Sequence, residues 1–241
     1  METKYLNQEI ITKTDEIADS FLKLKNSNKH RDKFFPYMVD TMGLNFGVEI
    51  GVDKGEFAVH FLQNTKIKKY FCIDTWQDNF GSDHVRKGCD GKYFDNNGNV
   101  RYNQASNNLK KYIDENRAVM MRMTSTQAAL YFKKETIDFC YIDGDHSLEG
   151  VYADIKAWLP KIKVGGIIAG HDYKDGPRSG ITGYNGGQLD YKIKTVVDYY
   201  CQRYGHKLNI TGGRILSWWF VKNIQTEDHV GIYMLEDPTN G

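Results

Sequence analysis

The sequence is poor in cysteine, and its four cysteines include no CxxC pair. Without that spacing, the sequence offers no zinc cluster of the finger or ribbon type. Cys72 and Cys140 lie in apolar segments typical of strands, where a thiol usually serves as a small hydrophobic side chain. We therefore expect a reduced, cytoplasmic protein.

Long apolar runs and an excess of one charge are also missing. No stretch approaches the ~18 residues needed to span a bilayer, and the N-terminus lacks a basic-then-apolar signal pattern. With 32 Lys and Arg against 31 Asp and Glu, the net charge is +1. We therefore expect no membrane and no nucleic acid among the partners, although a balanced total does not by itself exclude a local basic patch.

Short apolar strands alternate with longer helical stretches, a pattern typical of an α/β fold with a mainly parallel sheet. Ser147 is a plausible N-cap for a helix over 148–159, and Pro160 would end that helix. Helices are predicted to begin near Glu56, Asn103, Thr126, Ser147 and Leu189. Strands are predicted at 46–50, 70–74, 118–123, 137–143, 166–171, 207–211 and 217–222.

The chain divides into one domain with flanking segments. Residues 1–45 resemble two amphipathic helices, which would form a cap or a surface for a homo-oligomer. The α/β domain covers 46–222, and a tail follows at 223–241. Two segments rich in glycine and polar residues, 77–101 and 173–187, are predicted to be long loops inserted in the domain, and loops of this length are usually functional or disordered.

The first predicted strand ends in the sequence EIGVDKGEF and passes directly into a helix. Glycines at 51 and 55 allow a sharp turn and the close approach of a ligand. A dinucleotide-binding loop would have G-x-G-x-x-G, whereas this loop is E-x-G-x-D-x-G. The carboxylates of Glu49 and Asp53 would repel a pyrophosphate and favour a cationic cofactor such as S-adenosylmethionine. The alternative is a tight turn without a ligand.

Polar residues at the ends of the next strands extend this site. Asp74 ends the second strand, 23 residues after Gly51, where an acidic side chain can accept hydrogen bonds from a ribose diol. Thr124 and Ser125 end the third strand and could meet an adenine. The alternative for each of these residues is a helix cap, which the glycine loop makes less favoured for Asp74 than for Thr124 and Ser125.

Two further segments carry a family resemblance: residues 141–154 are YIDGDHSLEGVYAD and residues 165–172 are GGIIAGHD. With the glycine loop and the stretch Asp74-Thr75-Trp76, the chain resembles the class I S-adenosylmethionine-dependent methyltransferases over about 46–222. It is most similar to a bacterial group with Asp-x-Asp-His and His-Asp at the ends of strands four and five. The resemblance implies a Rossmann-like, doubly wound sheet of seven strands with an antiparallel last strand. It also implies cofactor contacts at Glu49, Gly51, Gly55, Asp74, Ser125 and Asp143, and we predict further contacts at Asp53, Thr75 and Thr124.

The acceptor should lie beyond the carboxyl ends of strands four and five, where ligands bind in open α/β sheets. A hydroxyl is a poor nucleophile until a base or a metal eases its deprotonation. His146 is the predicted base, because imidazole accepts a proton near neutral pH, and Asp143 and Asp172 are the other predicted catalytic residues. Alternatively, His146 is a helix-start residue bonded to Asp145 or to the backbone.

A divalent cation is the open question of this site. Metal-dependent relatives hold Mg²⁺ with an aspartate of strand four and an Asp-Asn pair of strand five, where this chain has His171-Asp172. Imidazole suits Mn²⁺, iron or Zn²⁺ better than it suits Mg²⁺. The predicted ligands are Asp143, His171 and Asp172, with Asp145 as an alternative to His171. Without a metal, His171 and Asp172 would contact the acceptor directly.

The sequence predicts an O-methyltransferase acting on a small molecule, such as a sugar or a natural product. Three alternatives remain: an N-methyltransferase on the same fold, an NAD-dependent oxidoreductase, and a cofactor-binding module without catalysis. Aromatic and basic residues of the two predicted loops would form a lid over the acceptor or simply anchor the loops; they are Tyr93, Phe94, Tyr102, Tyr173, Arg178 and Tyr184.

Overall fold

The computed structural model describes residues 8–23, 30–77, 86–87, 93–94, 98–182, 188–212 and 215–223. Seven strands form one sheet in the order β10-β11-β7-β6-β1-β2-β5, and β11 runs antiparallel to its neighbours β7 and β10. These strands are β1 (Phe46–Ile50), β2 (Lys69–Asp74), β5 (Ala118–Arg122), β6 (Ile137–Ile142), β7 (Ile162–Gly170), β10 (Asn209–Ile210) and β11 (Trp218–Val221). The predicted Rossmann-like sheet with an antiparallel strand near its end is confirmed.

Helices cover both faces of the sheet. The first four are α1 (Gln8–Lys23), α2 (Arg31–Met42), α3 (Glu56–Gln63) and α4 (Gly98–Asp114). The others are α5 (Ser125–Ala129), α6 (Leu148–Trp158) and α7 (Ile193–Tyr204), with a short 3-10 helix at Leu159–Lys161. The predicted cap at Ser147 is confirmed, because its hydroxyl accepts a hydrogen bond from the Gly150 backbone N–H at 3.1 Å.

The strands contribute to two separate cores, because successive side chains of a strand point to opposite faces of the sheet. In β6, Phe139 and Tyr141 point to one face of the sheet, whereas Cys140 and Ile142 point to the other. The first core packs against α1 to α4, and the second packs against α5 to α7. Both cysteines of the predicted strands are buried and free, as expected of small hydrophobic side chains.

The N-terminal helices share the first core with the domain. Phe21 of α1 and Phe34 of α2 are buried, and the Phe34 ring lies 5.7 Å from that of Trp219 in β11. A salt bridge between Asp15 and Lys207 adds a second link between α1 and the domain. These helices therefore bury apolar side chains within the chain itself.

Both predicted loops contain regular structure, so these predictions were wrong in part. The first contains the short pair β3 (Arg86–Lys87) and β4 (Tyr93–Phe94), and α4 begins at Gly98, before the predicted start. The second contains β8 (Asp175–Thr182), which pairs with β9 (Gln188–Lys192). The helix predicted from Leu189 begins only at Ile193, because residues 188–192 pair as a strand. Glycine-rich hairpins lack the apolar periodicity from which strands are recognised.

Among the residues that the structure describes, no helix is both long enough and apolar enough to cross a bilayer.

Candidate functional site

The predicted site residues lie at the carboxyl-end edge of the central strands. Backbone hydrogen bonds connect these strand ends. The Gly51 N–H donates to the carbonyl oxygen of Ile73 at 2.9 Å, and the Asp143 N–H donates to that of Ile50 at 2.8 Å. The His171 N–H donates to Ile142 at 3.0 Å. The loops after β1, β2, β6 and β7 therefore emerge side by side, as the parallel sheet requires.

Gly51 forms the centre of the turn after β1, with φ of +84°. A Cβ atom at this position would lie 2.2 Å from the carbonyl oxygen of Asp143, so no side chain fits. Gly55 also has positive φ and caps the start of α3. The glycine loop thus passes directly over the start of the loop that carries Asp143.

The carboxylate of Asp74 holds this turn in place. Its Oδ2 accepts hydrogen bonds from the backbone N–H groups of Val52 at 3.0 Å and Asp53 at 2.9 Å. Its Oδ1 accepts one from Trp76 N–H at 2.8 Å. Three amide donors to one carboxylate make a strong, charge-assisted link between the ends of β1 and β2. The sequence did not reveal this contact, and the ribose role of Asp74 stays a prediction.

Glu49 is buried at 2% exposure on the strand that leads into the turn. Burial raises the pKa of this carboxyl to about 8, against the opposing effects of the Tyr70 hydroxyl and of Arg31. Among the described residues, Glu49 Oε2 has no hydrogen-bond partner. A buried carboxyl group in this state gains strongly from a cationic ligand.

The other acidic residue of the loop is partly neutralised. Asp53 is exposed, has φ of +49° and forms a long ion pair of 3.5 Å with Arg101 of α4. Its backbone carbonyl accepts a hydrogen bond from the Trp76 indole at 2.7 Å. Asp53 therefore contributes to the shape of the loop as well as to its charge.

Thr124 and Ser125, the predicted adenine contacts, use their hydroxyls in hydrogen bonds within the fold. Thr124 caps α5 in a reciprocal capping box with Gln127. The Ser125 hydroxyl accepts a hydrogen bond from the Trp158 indole at 2.8 Å and faces Asp154, whose pKa burial raises to about 7. Thr75 lies just after β2, and its hydroxyl is 3.5 Å from the Gln77 N–H. Cofactor contacts from these residues stay predictions.

The loops after β6 and β7, where the acceptor is predicted to lie, contain a tight cluster of imidazoles and carboxylates. His146 Nε2 lies 3.3 Å from Asp143 Oδ1, and His146 Nδ1 lies 3.7 Å from Asp172 Oδ2. His171 Nδ1 lies 3.6 Å from both of those carboxylate oxygens. Asp172 adopts φ of +51°, an uncommon backbone conformation for a residue with a side chain, which places it in the cluster.

Charges in the cluster compensate one another. Burial favours the neutral form of Asp143, but hydrogen bonds from His146 and His171 and the charge of Arg31 hold its pKa well below the usual range. Burial also lowers the pKa of His171, but contacts with Asp143 and Asp172 outweigh it and leave the pKa raised. Asp172 likewise has a lowered pKa despite burial, chiefly because of His171. Both aspartates are therefore ionised at neutral pH.

Three residues of this cluster each offer a ligand atom for a metal ion. Ligand atoms of Asp143, His146 and Asp172 all lie within 4.8 Å of one another. The predicted ligand His171 is adjacent, at the distances given above. The alternative ligand Asp145 instead accepts a hydrogen bond from the Ser147 N–H at 2.9 Å, which supports the turn before α6.

Sequence reasoning missed two residues of the site. Arg31, the first residue of α2, donates to Asp143 Oδ2 at 2.8 Å, although it precedes all the recognised motifs. Tyr191 of β9 stacks on the His146 ring, with 5.2 Å between centroids. Neither residue belongs to a local motif, and nothing in the spacing indicates these contacts.

The two lid residues with described side chains lie against other parts of the fold. The Tyr102 ring contacts Trp76 edge-on at 5.1 Å, and the Tyr173 hydroxyl donates to Asp198 of α7. Both contacts are typical of loop anchors. Tyr184 and the side chains of Tyr93, Phe94 and Arg178 lie outside the described residues.

Comparison with known proteins gives both a sequence family and similar folds. The O-methyltransferase of Bacillus cereus, solved in complex with S-adenosylhomocysteine, is 15% identical, with a TM-score of 0.52 over 89% of this chain and 90% of that chain. A Podospora anserina methyltransferase bound to S-adenosylhomocysteine is 10% identical, with a TM-score of 0.53 over 92% of this chain and 91% of that chain. At these identities the likeness concerns the fold.

One curated relative also matches, the uncharacterized protein y4gI of Sinorhizobium fredii. It is 28% identical over 102 residues, which are 42% of this chain and 10% of that protein. This chain therefore spans only a small part of the length of that relative.

A family model described as a methyltransferase domain matches residues 48–173, just over half of the chain. This segment runs from β1 through the glycine turn to the residue after Asp172, and so includes the strand ends that carry Glu49, Asp74, Asp143 and Asp172. The predicted resemblance is confirmed, and the chain belongs to this family of class I S-adenosylmethionine-dependent methyltransferases.

Proposed function

We propose that the protein transfers the methyl group of S-adenosylmethionine to a hydroxyl group of a small acceptor. The observation that carries this proposal is the position of the His146 cluster at the same sheet edge as the Gly51 turn. A cofactor site and a candidate base at one edge are what in-line methyl transfer requires. A sugar or a phenolic natural product is the class of acceptor that we favour.

Glu49, Gly51 and Asp74 would bind the cofactor. Gly51 lets the turn pass close to the Asp143 backbone, where a side chain would collide, and its own backbone would contact the cofactor. The buried Glu49 carboxyl would accept the ammonium group of the methionine part, which would lower its raised pKa and ionise it. Asp74, held by three amides, would accept from a ribose hydroxyl with its remaining lone pair.

His146 would act as the general base. It is almost buried, lies between Asp143 and Asp172, and is stacked on one side by Tyr191. In the reaction, the acceptor oxygen forms a bond to the methyl carbon as the carbon–sulfur bond breaks. The hydroxyl proton passes to His146, and S-adenosylhomocysteine leaves as a neutral thioether.

A divalent cation fits the same cluster. The separations of 3.3–3.7 Å among these nitrogens and carboxylate oxygens exceed the ~2.8 Å of a good charge-assisted hydrogen bond. They are close to the spacing of neighbouring ligands around one ion with bonds of about 2.1 Å. Asp143, Asp172 and His171 would hold the ion, which would make a bound hydroxyl more acidic and leave His146 to accept its proton.

An amine acceptor on the same fold would dispense with the metal, because a neutral amine is nucleophilic without one. The two acceptor classes therefore differ in metal dependence. We favour the hydroxyl because the candidate base His146 meets three groups that could orient it or bind a metal: Asp143, His171 and Asp172.

The first test is ligand-induced stabilisation of the purified chain. S-adenosylmethionine and S-adenosylhomocysteine should each raise the melting temperature, and NAD should not. Incubation with methyl-labelled S-adenosylmethionine and a panel of hydroxylated and aminated metabolites, followed by mass spectrometry, then identifies the acceptor. Stabilisation by NAD alone would overturn the cofactor assignment, and transfer confined to amines would overturn the hydroxyl assignment.

The base role is tested separately with a His146→Ala variant. It should retain affinity for S-adenosylhomocysteine and lose turnover by roughly 100- to 10,000-fold, the usual contribution of a positioned base. Full turnover by this variant would show that another group accepts the proton.

A further inference from the structure

Arg31 links the N-terminal helices to the methyltransferase site. Its Nη1 donates to Asp143 Oδ2 at 2.8 Å and to the Tyr141 hydroxyl at 3.1 Å. The guanidinium also lies over the Phe57 ring of α3, 4.8 Å from its centroid. Arg31 is thus held by the strand that carries Asp143 and by the helix that follows the glycine turn.

Two ionisable side chains at this point, Glu49 and Arg31, each bury a polar atom that lacks a partner among the described residues. Among the described residues, neither Glu49 Oε2 nor Arg31 Nε has a hydrogen-bond partner, although both atoms are shielded from water. Arg31 Nε lies 3.6 Å from a carboxylate oxygen of Asp32, which is too long for a hydrogen bond. Buried polar atoms without partners are rare in folded proteins and call for a reason.

Glu49 and Arg31 are also close enough to interact electrostatically, since the charge of Arg31 lowers the pKa of Glu49. The pair therefore offers a carboxyl group, which a cationic ligand would ionise, and a guanidinium that acts on it. The amino-acid end of S-adenosylmethionine carries the complementary pair, an ammonium and a carboxylate. An ammonium at Glu49 would bring its carboxylate, two bonds further on, towards the cation.

We propose that Arg31 binds the carboxylate of the cofactor's amino-acid end and so forms a clamp with Glu49. This inference rests on the proposed function, because it needs Glu49 at the cofactor's ammonium. Guanidinium has five N–H donors in a planar fork, and Asp143 and Tyr141 occupy those of Nη1 alone. A fifth of the Arg31 side chain remains exposed and can receive a ligand.

The clamp gives the N-terminal segment a role in cofactor binding. Arg31 lies outside the matched family segment 48–173, and it comes from α2, which packs on the first core. The neighbouring cation Lys174 is placed differently, because it pairs with Asp172 at 3.4 Å at the acceptor end. Lys174 is therefore a matched control for loss of a positive charge near the site.

The test compares two ligands that differ in one group: S-adenosylmethionine and decarboxylated S-adenosylmethionine. Affinities are measured by calorimetry for the wild type, Arg31→Met, Arg31→Lys and Lys174→Met. The wild type should prefer the carboxylated ligand by about tenfold or more, as a charge-assisted hydrogen bond implies. Arg31→Met should lose this preference, Arg31→Lys should keep part of it, and Lys174→Met should keep it in full.

An equal loss of affinity for both ligands in Arg31→Met, with the preference intact, would overturn the clamp and leave Arg31 a support for Asp143. If Arg31→Met fails to fold, as judged by circular dichroism, Arg31→Lys takes its place in the test. The inference is then contradicted if Arg31→Lys and Lys174→Met both prefer the carboxylated ligand as strongly as the wild type does. A wild type that binds neither ligand overturns the proposed function, and this inference with it.

Discussion

The ring of Tyr191 lies against the imidazole of His146, with 5.2 Å between centroids and 27° between planes. The backbone reinforces this contact, because Lys192 N–H donates to the His146 carbonyl at 3.1 Å. Strand β9 thus contacts the candidate base through a side chain and a backbone hydrogen bond, although it lies well beyond His146 in the sequence. The Lys174 ammonium lies 4.0 Å from the centre of the same tyrosine ring.

Replacing Tyr191 with alanine should lower kcat by roughly tenfold or more, because an imidazole without its stacking partner samples orientations that do not reach the acceptor. Tyr191→Phe keeps the ring and should retain most of the activity. The measurement is the pH profile of kcat for both variants. Equal losses in the two variants would mean that the hydroxyl, and not the stacked ring, matters.

Glu49→Gln should stabilise the unliganded protein at neutral pH. The Glu49 pKa is raised from 4.5 to about 8 on folding, so between these values the unfolded chain ionises this group while the folded chain keeps it protonated. The unfolded state then binds fewer protons, and stability falls as pH rises, by up to about 1.4 kcal/mol per pH unit from this group. Below pH 4.5 the effect vanishes.

The free energy of unfolding from urea titrations at pH 5, 6, 7 and 8 checks this prediction. The wild type should lose stability relative to Glu49→Gln across this series, and the variant should bind S-adenosylhomocysteine much more weakly. Parallel pH curves for the two proteins would contradict the raised pKa.

Asp74→Asn should weaken S-adenosylhomocysteine binding by about tenfold or more, on the order of one lost charge-assisted hydrogen bond. Both carboxylate oxygens accept from backbone amides, so in either orientation the new NH₂ group faces an N–H donor. Asp53→Asn is the matched control, because that side chain is exposed and should have a smaller effect. Unchanged affinity in Asp74→Asn would show that the loop holds its shape without this carboxylate.

The wild type should bind one Mn²⁺ or Zn²⁺ per chain, and Asp172→Asn should bind it far more weakly. The loss should exceed the ~10- to 100-fold typical for residues that merely orient a ligand. Calorimetry with the metal alone measures this. Asp145→Asn should bind as the wild type does, because Asp145 supports the Ser147 turn. Equal affinities of Asp172→Asn and the wild type would place any metal elsewhere.

Much of the sheet was predictable, because the sheet strands are short apolar runs separated by recognisable helix starts. The bounds predicted for β1 agree with the structure, and those for β2, β5 and β6 agree to within one residue. The hairpin of β8 and β9 was not predictable, since its glycines and polar residues carry no period-2 pattern. Its two strands pair with each other, and Lys192 at the end of β9 donates to the His146 carbonyl.

Charge at the site was harder to foresee than position. The sequence suggests two ionised acids beside the glycine turn, but in the fold burial protonates Glu49 and Arg101 faces Asp53. Desolvation and distant partners set these states, and neither is visible in a local motif. The loop therefore becomes strongly acidic only when a cation draws the proton from Glu49.

The sequence by itself determined the family, the sheet and the edge at which Glu49, Asp74, Asp143 and Asp172 assemble, because parallel strands bring their carboxyl ends to one side. Only the tertiary structure decided that Arg31 and Tyr191 join them. These two residues come from segments 112 residues before Asp143 and 45 residues after His146. Contacts over such distances depend on how whole elements pack, which no local pattern encodes.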